Sequence, residues 1–534
     1  MGFGSPNVAK HECAYGNHHI PHPEVPVAER LASKDAMTPI QAPNTLALPD
    51  EAATAAFAED VALCLAPGDV VALSGGLGAG KTTFARALIR AVSDDPRLEV
   101  PSPTFTLVQT YEAGRLPIAH FDLYRLSGAE EIDEIGLDEA LATGAALIEW
   151  PDRAASRLPP DRLDIAFAIA GEGRVATIAG SPDWMARLER SRAIRALLDK
   201  AGWAKAERRH LQGDASTRRY ERIRKDGQSA VLMDWPTANA PPLLDPRVIF
   251  RARDVRAFMA VDIALRGLGL SAPEIHASDT ERGFLLLEDL GNEGILRDGG
   301  PDPERYRAAV DVLAMLHAAP RPSALPLPGG AVHPLPAFTG DAFAVEVGMF
   351  LDWYVPHATG APASPAMRDE FAVLARDIIA RLARAEPGWV LLDFHSPNLI
   401  WLGERAGIAR LGIIDFQDLM VGPSAYDVAS LCQDARATVS PKLEAELRGL
   451  YVARRREADP AFDAEAFAEA YAILSTQRAT KILGVFARLA DHAGKPGYLK
   501  HIPRLREYLE RSLAHPALNR YALWYRTHLP PPSA

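Results

Sequence analysis

The stretch "LSGGLGAGKTTFARALI", residues 73–89, decides the reading of the N-terminal part of the chain. An apolar run from Asp69 to Gly75 leads into the glycines and apolar residues at helical spacing follow them, so the local order is strand, loop, helix. Gly75, Gly80, Lys81 and Thr82 satisfy the spacing G-x-x-x-x-G-K-[ST]. In that arrangement glycines let backbone N–H groups wrap phosphate oxygens at a helix N-terminus. Lys81 is placed to reach the β- and γ-phosphates of a nucleotide, and the Thr82 hydroxyl to hold Mg²⁺. Gly75, Gly78 and Gly80 with Lys81, Thr82 and Thr83 therefore form a candidate ATP-binding set.

One such cradle does not account for 534 residues. Domains cluster at roughly 100–200 residues, so at least two hydrophobic cores are expected. With 48% hydrophobic and 24% charged residues the composition is that of a globular protein. A net charge of −11 argues against broad electrostatic capture of nucleic acid. Cys13, Cys64 and Cys432 are too few and too dispersed for a disulfide framework or a paired-cysteine metal site, which suits a reducing compartment. No apolar run reaches the ~18 residues of a membrane span, and no charged start leads into an apolar stretch at the N-terminus. A cytoplasmic protein without membrane contact is expected. Residues 1–37 are rich in His, Pro and Gly and read as a disordered leader, although His11, Cys13, His18, His19 and His22 are metal-ligand types; Met37 is an alternative translation start.

The segment after the cradle carries "SPTFTLVQTY" (Ser102 to Tyr111), "HFDLYRL" (His120 to Leu126) and "LIEWPDR" (Leu147 to Arg153). The last two read as short strands ending in Asp122 and Glu149. A carboxylate at a strand end beside a phosphate loop is placed to act on Mg²⁺ or on an attacking water. GGLGAGKTTF, SPTFTLV, HFDLYRL and LIEWP, in this order, resemble the TsaE family, the small bacterial ATPases that support threonylcarbamoyladenosine modification of tRNA. The resemblance covers about residues 40 to 180. It implies a P-loop α/β domain over residues 38–180, Lys81 and Thr82 on ATP and Mg²⁺, Asp122 in catalysis, Glu149 on the metal, and Trp150 near the nucleotide. It also implies TsaB and TsaD as partners, with tRNA reached only indirectly, through the complex that modifies adenosine 37. An ordinary nucleotide kinase is the competing reading, but no segment looks like an Arg-rich lid or a base-binding insert.

Periodicity changes at "SPDWMARLERSRAIRALLDKAGW", and a new domain is expected over residues 181–534. It contains "VLLDFHSPNLIWL", where Asn398 follows Asp393 by five positions, and "GIIDFQDLMVGPSAYDVASL", where Asp415 ends a strand-like run. This is the spacing of a kinase catalytic loop: one Asp accepts the proton of the substrate hydroxyl, while an Asn and a second Asp hold Mg²⁺. Upstream, "QGDASTRRYERI" with "QSAVLMDWP" reads as two strands around a turn, and "GFLLLEDLG" as a strand entering a hinge. His317 reads as a packed helix-end histidine, Lys481 as a candidate for the substrate cleft, and Pro320 to Phe338 as a surface connection.

From about Arg187 onward the chain resembles the aminoglycoside phosphotransferase and choline kinase superfamily, a two-lobed α+β protein-kinase-like fold. "VLMDWP", "LLDFHSPNLIWL" and "KILGVFARLADHAGKPGYLKHIPRLREYLER" look most like the AmgK family of cell-wall sugar kinases. The resemblance implies transfer of phosphate from ATP to the anomeric hydroxyl of an amino sugar, N-acetylmuramate or N-acetylglucosamine, in peptidoglycan recycling. It implies Asp393 as catalytic base, Asn398 and Asp415 as Mg²⁺ ligands, and Leu287–Leu290, with Glu288, as the adenine-binding hinge. Two departures stand out. Leu391 occupies the position of the usual histidine two residues before the catalytic Asp, and Met233 and Asp234 stand where the phosphate-gripping strand lysine would be, leaving Arg218, Arg219 or another basic residue to compensate. The expected protein is a bifunctional fusion of two ATP-using units. Alternatives for the second unit are a kinase of another small alcohol, such as an aminoglycoside or choline, and a non-catalytic ligand-binding module.

Overall fold

The structure, a computed structural model, describes residues 44–530 except 113, 127, 129, 155–156, 212–217 and 237–251. The expected leader over residues 1–37 and residues 212–217, the first half of "QGDASTRRYERI", lie outside the described residues. The chain divides into two compact units between Ala196 and Leu197.

In the first unit β1 (Asn44–Leu48), α1 (Glu51–Cys64), β2 (Val70–Ser74), α2 (Lys81–Ser93), β3 (Val108–Tyr111), β4 (Ile118–Asp122), β5 (Ala145–Glu149), β6 (Leu163–Ala170), β7 (Gly173–Gly180) and α3 (Pro182–Lys200) follow in chain order. The sheet has the order β1-β7-β6-β2-β5-β4-β3. β2 pairs in parallel with β5 and β6, and β4 in parallel with β5. These central strands are apolar throughout because helices and loops cover both faces. Val71 and Leu73 point to one core with Phe57, Phe84 and Leu88, while Val70, Ala146 and Ile148 point to the other with Phe121 and Leu137. This is the P-loop α/β fold, and it sets the ends of β2, β4 and β5 side by side.

The change of periodicity near Asp183 coincides with the start of α3, yet the division into units falls later, within that helix. Trp184 and Leu188 enter the first core. Arg187 bonds Asp69 at 2.7 Å, and Arg195 reaches Asp60 on α1 at 2.7 Å. From its start through Arg195, α3 is thereby tied to the first unit by apolar burial and by charge-assisted hydrogen bonds.

The second unit opens with β8 (Glu207–Leu211), β9 (Arg219–Lys225), β10 (Gln228–Asp234), α4 (Val255–Gly267), β11 (Ile275–Asp279) and β12 (Phe284–Glu288). The strands form an antiparallel sheet of order β11-β12-β10-β9-β8. Asp226 and Gly227, both with positive φ, make the two-residue turn between β9 and β10. A helical lobe follows, with α5 (Pro303–Ala318), α6 (Gly340–Met349), β13 (Pro387–Val390), β14 (Leu399–Trp401), β15 (Leu411–Ile413), β16 (Met420–Pro423), α7 (Ala425–Cys432), α8 (Pro441–Ala458) and α9 (Ala464–Asp491). β13 pairs with β16 and β14 with β15, so two short ladders frame the loops that carry Asp393 and Asp415. Residues 470–480 of α9 are buried on all sides, the signature of a central helix. This is the two-lobed kinase-like fold. The expected surface connection from Pro320 to Phe338 contains a small antiparallel ladder between Ala324–Pro326 and Val332–Pro334. No helix among the described residues is long and apolar enough to cross a membrane.

Asp262 on α4 is almost fully buried, and its Oδ1 has no hydrogen-bond partner among the described residues. Burial pushes its pKa up to about 7, opposed by Arg266 and reinforced by Glu274 and Glu288. The folded chain then holds this proton more tightly than the unfolded chain, so stability falls as pH rises from the ordinary carboxyl range through about 7 and stays lowered above it. Asp262→Asn is expected to raise the melting temperature at pH 8 and to leave it nearly unchanged at pH 4.5. Thermal melts at both pH values check this, and a lower melting temperature at pH 8 would contradict it.

Candidate active sites

The glycine loop between β2 and α2 adopts backbone that only glycine accepts easily. Gly75 has φ 131°, and a Cβ there would lie 2.4 Å from the Phe167 carbonyl oxygen; Gly80, at φ 111°, caps α2. Gly78 also has positive φ, and Thr83 follows Thr82 in the first turn of α2. Lys81 folds back over the loop, its Nζ donating to the carbonyl oxygens of Gly75 at 2.8 Å and Gly76 at 3.0 Å. The same ammonium lies 3.9 Å from the centre of the Trp150 ring. Burial pushes the pKa of Lys81 down, and the carboxylates of Glu149 and Asp122 oppose that shift.

Asp122 and Glu149 are direct partners in the parallel register of β4 and β5. Glu149 takes the Thr82 hydroxyl on Oε2 at 3.1 Å and lies 3.1 Å from His120 Nε2 through Oε1. Asp122 Oδ2 accepts Ser102 Oγ at 2.9 Å and Thr104 Oγ1 at 2.8 Å, while Oδ1 accepts the Tyr124 N–H at 3.1 Å. Lys81, Thr82, Asp122, Glu149 and Trp150, far apart in sequence, thus converge at one end of the sheet. The pairing of a hydroxyl with a carboxylate is an all-oxygen donor set and fits Mg²⁺. Sequence reasoning gave no role to His120, although its place two residues before Asp122 puts both on one face of β4. It also missed Arg174 on β7, which donates to the carbonyls of Ala79 at 3.1 Å and Gly78 at 3.2 Å and so fixes the loop's peptide planes.

In the second unit the loop from Leu391 to Asn398 is held from beneath. Asp427, at the start of α7 and with no exposure to solvent, accepts Leu391 N–H at 2.7 Å and Leu392 N–H at 3.0 Å. The Leu392 carbonyl accepts Arg478 Nη1 and Ser430 Oγ, both at 3.2 Å, and Asp434 accepts the Ser396 N–H at 2.8 Å. These contacts leave the Asp393 carboxylate half-buried at the loop surface. Asn398 Nδ2 donates to the Asp393 carbonyl at 2.9 Å, which leaves its Oδ1 as an acceptor. The Asn398 carbonyl accepts the Ile414 N–H at 3.0 Å and ties this loop to the one bearing Asp415. Asn398 Oδ1 and the Asp415 carboxylate again form an oxygen set that fits Mg²⁺. His395 Nε2 lies 4.0 Å from Asp393 Oδ1, and burial lowers the imidazole pKa against the opposing pull of Asp393.

Asp415 holds φ 60°, a strained conformation for a non-glycine residue, and the following Phe416 packs on Phe258 of α4 with ring centroids 4.6 Å apart. Its Oδ1 accepts Arg218 Nη2 at 2.6 Å and Gln417 Nε2 at 3.0 Å. Leu391 and Met233 are both buried in the apolar core. Glu288 ends β12; its carboxylate pairs with Arg405, and its N–H bonds the Glu274 carbonyl at 2.7 Å. His317 is buried against Tyr451, 2.8 Å from Nδ1 to the hydroxyl. Lys481 pairs at 2.6 Å with Glu346, which also accepts Gln477 Nε2 at 2.8 Å.

Known proteins align with the two units separately. The model of the threonylcarbamoyl adenosine biosynthesis protein TsaE family matches residues 48–175, and that of the phosphotransferase enzyme family matches residues 207–466. The tRNA threonylcarbamoyladenosine biosynthesis protein TsaE of Rickettsia felis is 40% identical over 129 residues, 24% of this chain and 75% of that protein. The N-acetylmuramate/N-acetylglucosamine kinase of Caulobacter vibrioides is 36% identical over 359 residues, 64% of this chain and 97% of that protein. The kinase of the same name from Pseudomonas aeruginosa is 32% identical over 328 residues, covering 59% and 86%. The chain is therefore a bifunctional fusion: its first unit belongs to the TsaE family of ATPases, and its second belongs to the phosphotransferases, in the family of relatives named N-acetylmuramate/N-acetylglucosamine kinase.

Proposed function

We propose that the first unit hydrolyses ATP to drive a TsaB–TsaD complex that installs threonylcarbamoyl groups on adenosine 37 of tRNA, and that the second phosphorylates the anomeric hydroxyl of N-acetylmuramate or N-acetylglucosamine. The observation that carries the first half is the convergence of Lys81, Thr82, Asp122 and Glu149 on the glycine loop of a TsaE-family domain. For the second it is the clamped loop presenting Asp393 beside Asn398 in a chain that spans 97% of the Caulobacter kinase. ATP binding falls to the loop amides around Gly75, Gly78 and Gly80 with Lys81, Thr82 and Thr83, and Trp150 flanks the lysine. Asp122 orients the attacking water, and Asp393 accepts the proton of the sugar hydroxyl. Mg²⁺, held by Thr82 and Glu149 in one site and by Asn398 and Asp415 in the other, would neutralise charge on the ATP phosphates. With the Glu288 carboxylate engaged by Arg405, the hinge from Leu287 to Leu290 recognises adenine through its backbone. On this reading the protein works in the cytoplasm, where ATP and a recycled cell-wall sugar meet, with tRNA reached only through the partner complex.

Lys81→Ala is expected to abolish ATP hydrolysis by the first unit and to leave sugar phosphorylation intact, measured as phosphate release without sugar and as sugar phosphate with it. Loss of both activities would refute independent sites. Phosphorus NMR of the full-length chain with ATP, Mg²⁺ and either sugar is expected to show a sugar 1-phosphate. Asp393→Asn should slow its formation by about 10²- to 10⁴-fold, the range for loss of a general base. No phosphosugar from either substrate, with ATP still bound, would exclude the amino-sugar reading.

A further inference from the structure

Kinases hold the α- and β-phosphates of the nucleotide with a lysine on the third strand of the small lobe. Here Met233 on β10 is fully buried in the apolar core and offers no charge. Two small-lobe arginines are committed elsewhere, Arg208 to Glu221 at 2.7 Å and Arg222 to Asp289 at 3.1 Å, and Arg219, opposite Asp234 in the register of β9 and β10, is exposed. Arg218, immediately before β9, is the cation that the described residues bring to Asp415. Its Nη2 lies 2.6 Å from Asp415 Oδ1, its Nη1 donates to Gln417 Oε1 at 2.8 Å, and its guanidinium carbon lies 5.2 Å from the centre of the Trp235 ring. An arginine stays charged at every physiological pH, and its planar fork matches a phosphate as well as a carboxylate.

We propose, on the reading of Asp415 as a metal ligand, that Arg218 is a phosphate-binding residue that replaces the strand lysine and is held on Asp415 until nucleotide arrives. One guanidinium cannot satisfy the carboxylate and a phosphate through the same N–H group. Without nucleotide, Arg218 competes with a divalent cation for Asp415. With nucleotide, the phosphates accept the arginine and free the carboxylate for the metal. Metal and ATP then bind cooperatively because each removes the other's competitor. Gln417, bonded to both Arg218 and Asp415, holds the pair in register.

The test uses full-length protein carrying Lys81→Ala throughout, so that nucleotide binding reports the second unit. Mn²⁺ binding without nucleotide is followed by electron paramagnetic resonance, and ATP binding in EDTA by equilibrium dialysis. Arg218→Met is expected to bind Mn²⁺ about tenfold more tightly and metal-free ATP about tenfold more weakly, the scale of one charge-assisted contact. Arg218→Lys should recover most of the ATP affinity. A purely structural arginine would weaken both ligands together, and that result, or no change in either, would overturn the proposal. The gain in Mn²⁺ affinity should vanish when Asp415→Asn is added. A gain that survives Asp415→Asn would overturn the metal-ligand reading of Asp415 instead, while the loss of ATP affinity would still assign the arginine to phosphate.

Discussion

Asp427 takes two backbone N–H groups of the loop from Leu391 to Asn398 on its two carboxylate oxygens from a position with no solvent exposure, and the proposed phosphotransfer site depends on that contact. A buried carboxylate left without donors costs several kcal/mol, and here each oxygen accepts one backbone N–H. In return the carboxylate fixes Leu392 at φ 68°, a conformation an isolated leucine avoids. The loop then leaves the core in one direction, with Leu391 and Phe394 inside and Asp393 at the surface. The first unit meets the same electrostatic constraint with other donors. Asp122 and Glu149 stand in register on neighbouring strands, where like charges repel. Each is given its own donors, two hydroxyls and an N–H for Asp122, a hydroxyl and an imidazole for Glu149.

What was legible in the sequence was what the chain encodes locally. The glycine loop needs positive φ at Gly75, Gly78 and Gly80, and a strand before and a helix after, all within one short stretch. Asp393 and Asn398 are likewise one turn of a single loop, joined by a hydrogen bond between them. Both folds followed from such motifs and their order. The groups that tune these sites were harder to read, because they arrive from distant strands and helices. Arg174 reaches the glycine loop only because β7 folds back on β6, and Arg478 reaches Leu392 from the central helix α9. Nothing in the residues around either arginine marks it. Asp427 was within the quoted "SAYDVASL", yet its role appears only once β13 and β16 pair and bring α7 beneath the loop. The division between units was displaced for a similar reason: α3 starts where periodicity changes, but Trp184 and Leu188 bury against the first core.

The two sites also differ in where the cation proposed to face phosphate originates. Lys81 comes from the same loop that would cradle the phosphates, and its two carbonyl contacts are five and six residues away in sequence. Its position is set as soon as the strand, loop and helix form. Arg218 and Asp415 are 197 residues apart, one on the small lobe and one on the helical lobe. Their contact therefore reports the arrangement of the two lobes within the second unit, as does the packing of Phe258 on Phe416. A cation carried by the glycine loop is available whenever that loop is folded. A cation carried by one lobe and bonded to a carboxylate on the other binds the lobes together. Nucleotide phosphates that accept Arg218 would replace that bridge rather than add to it, so binding redistributes the contacts between lobes while the apolar packing of α4 on Phe416 keeps them in register.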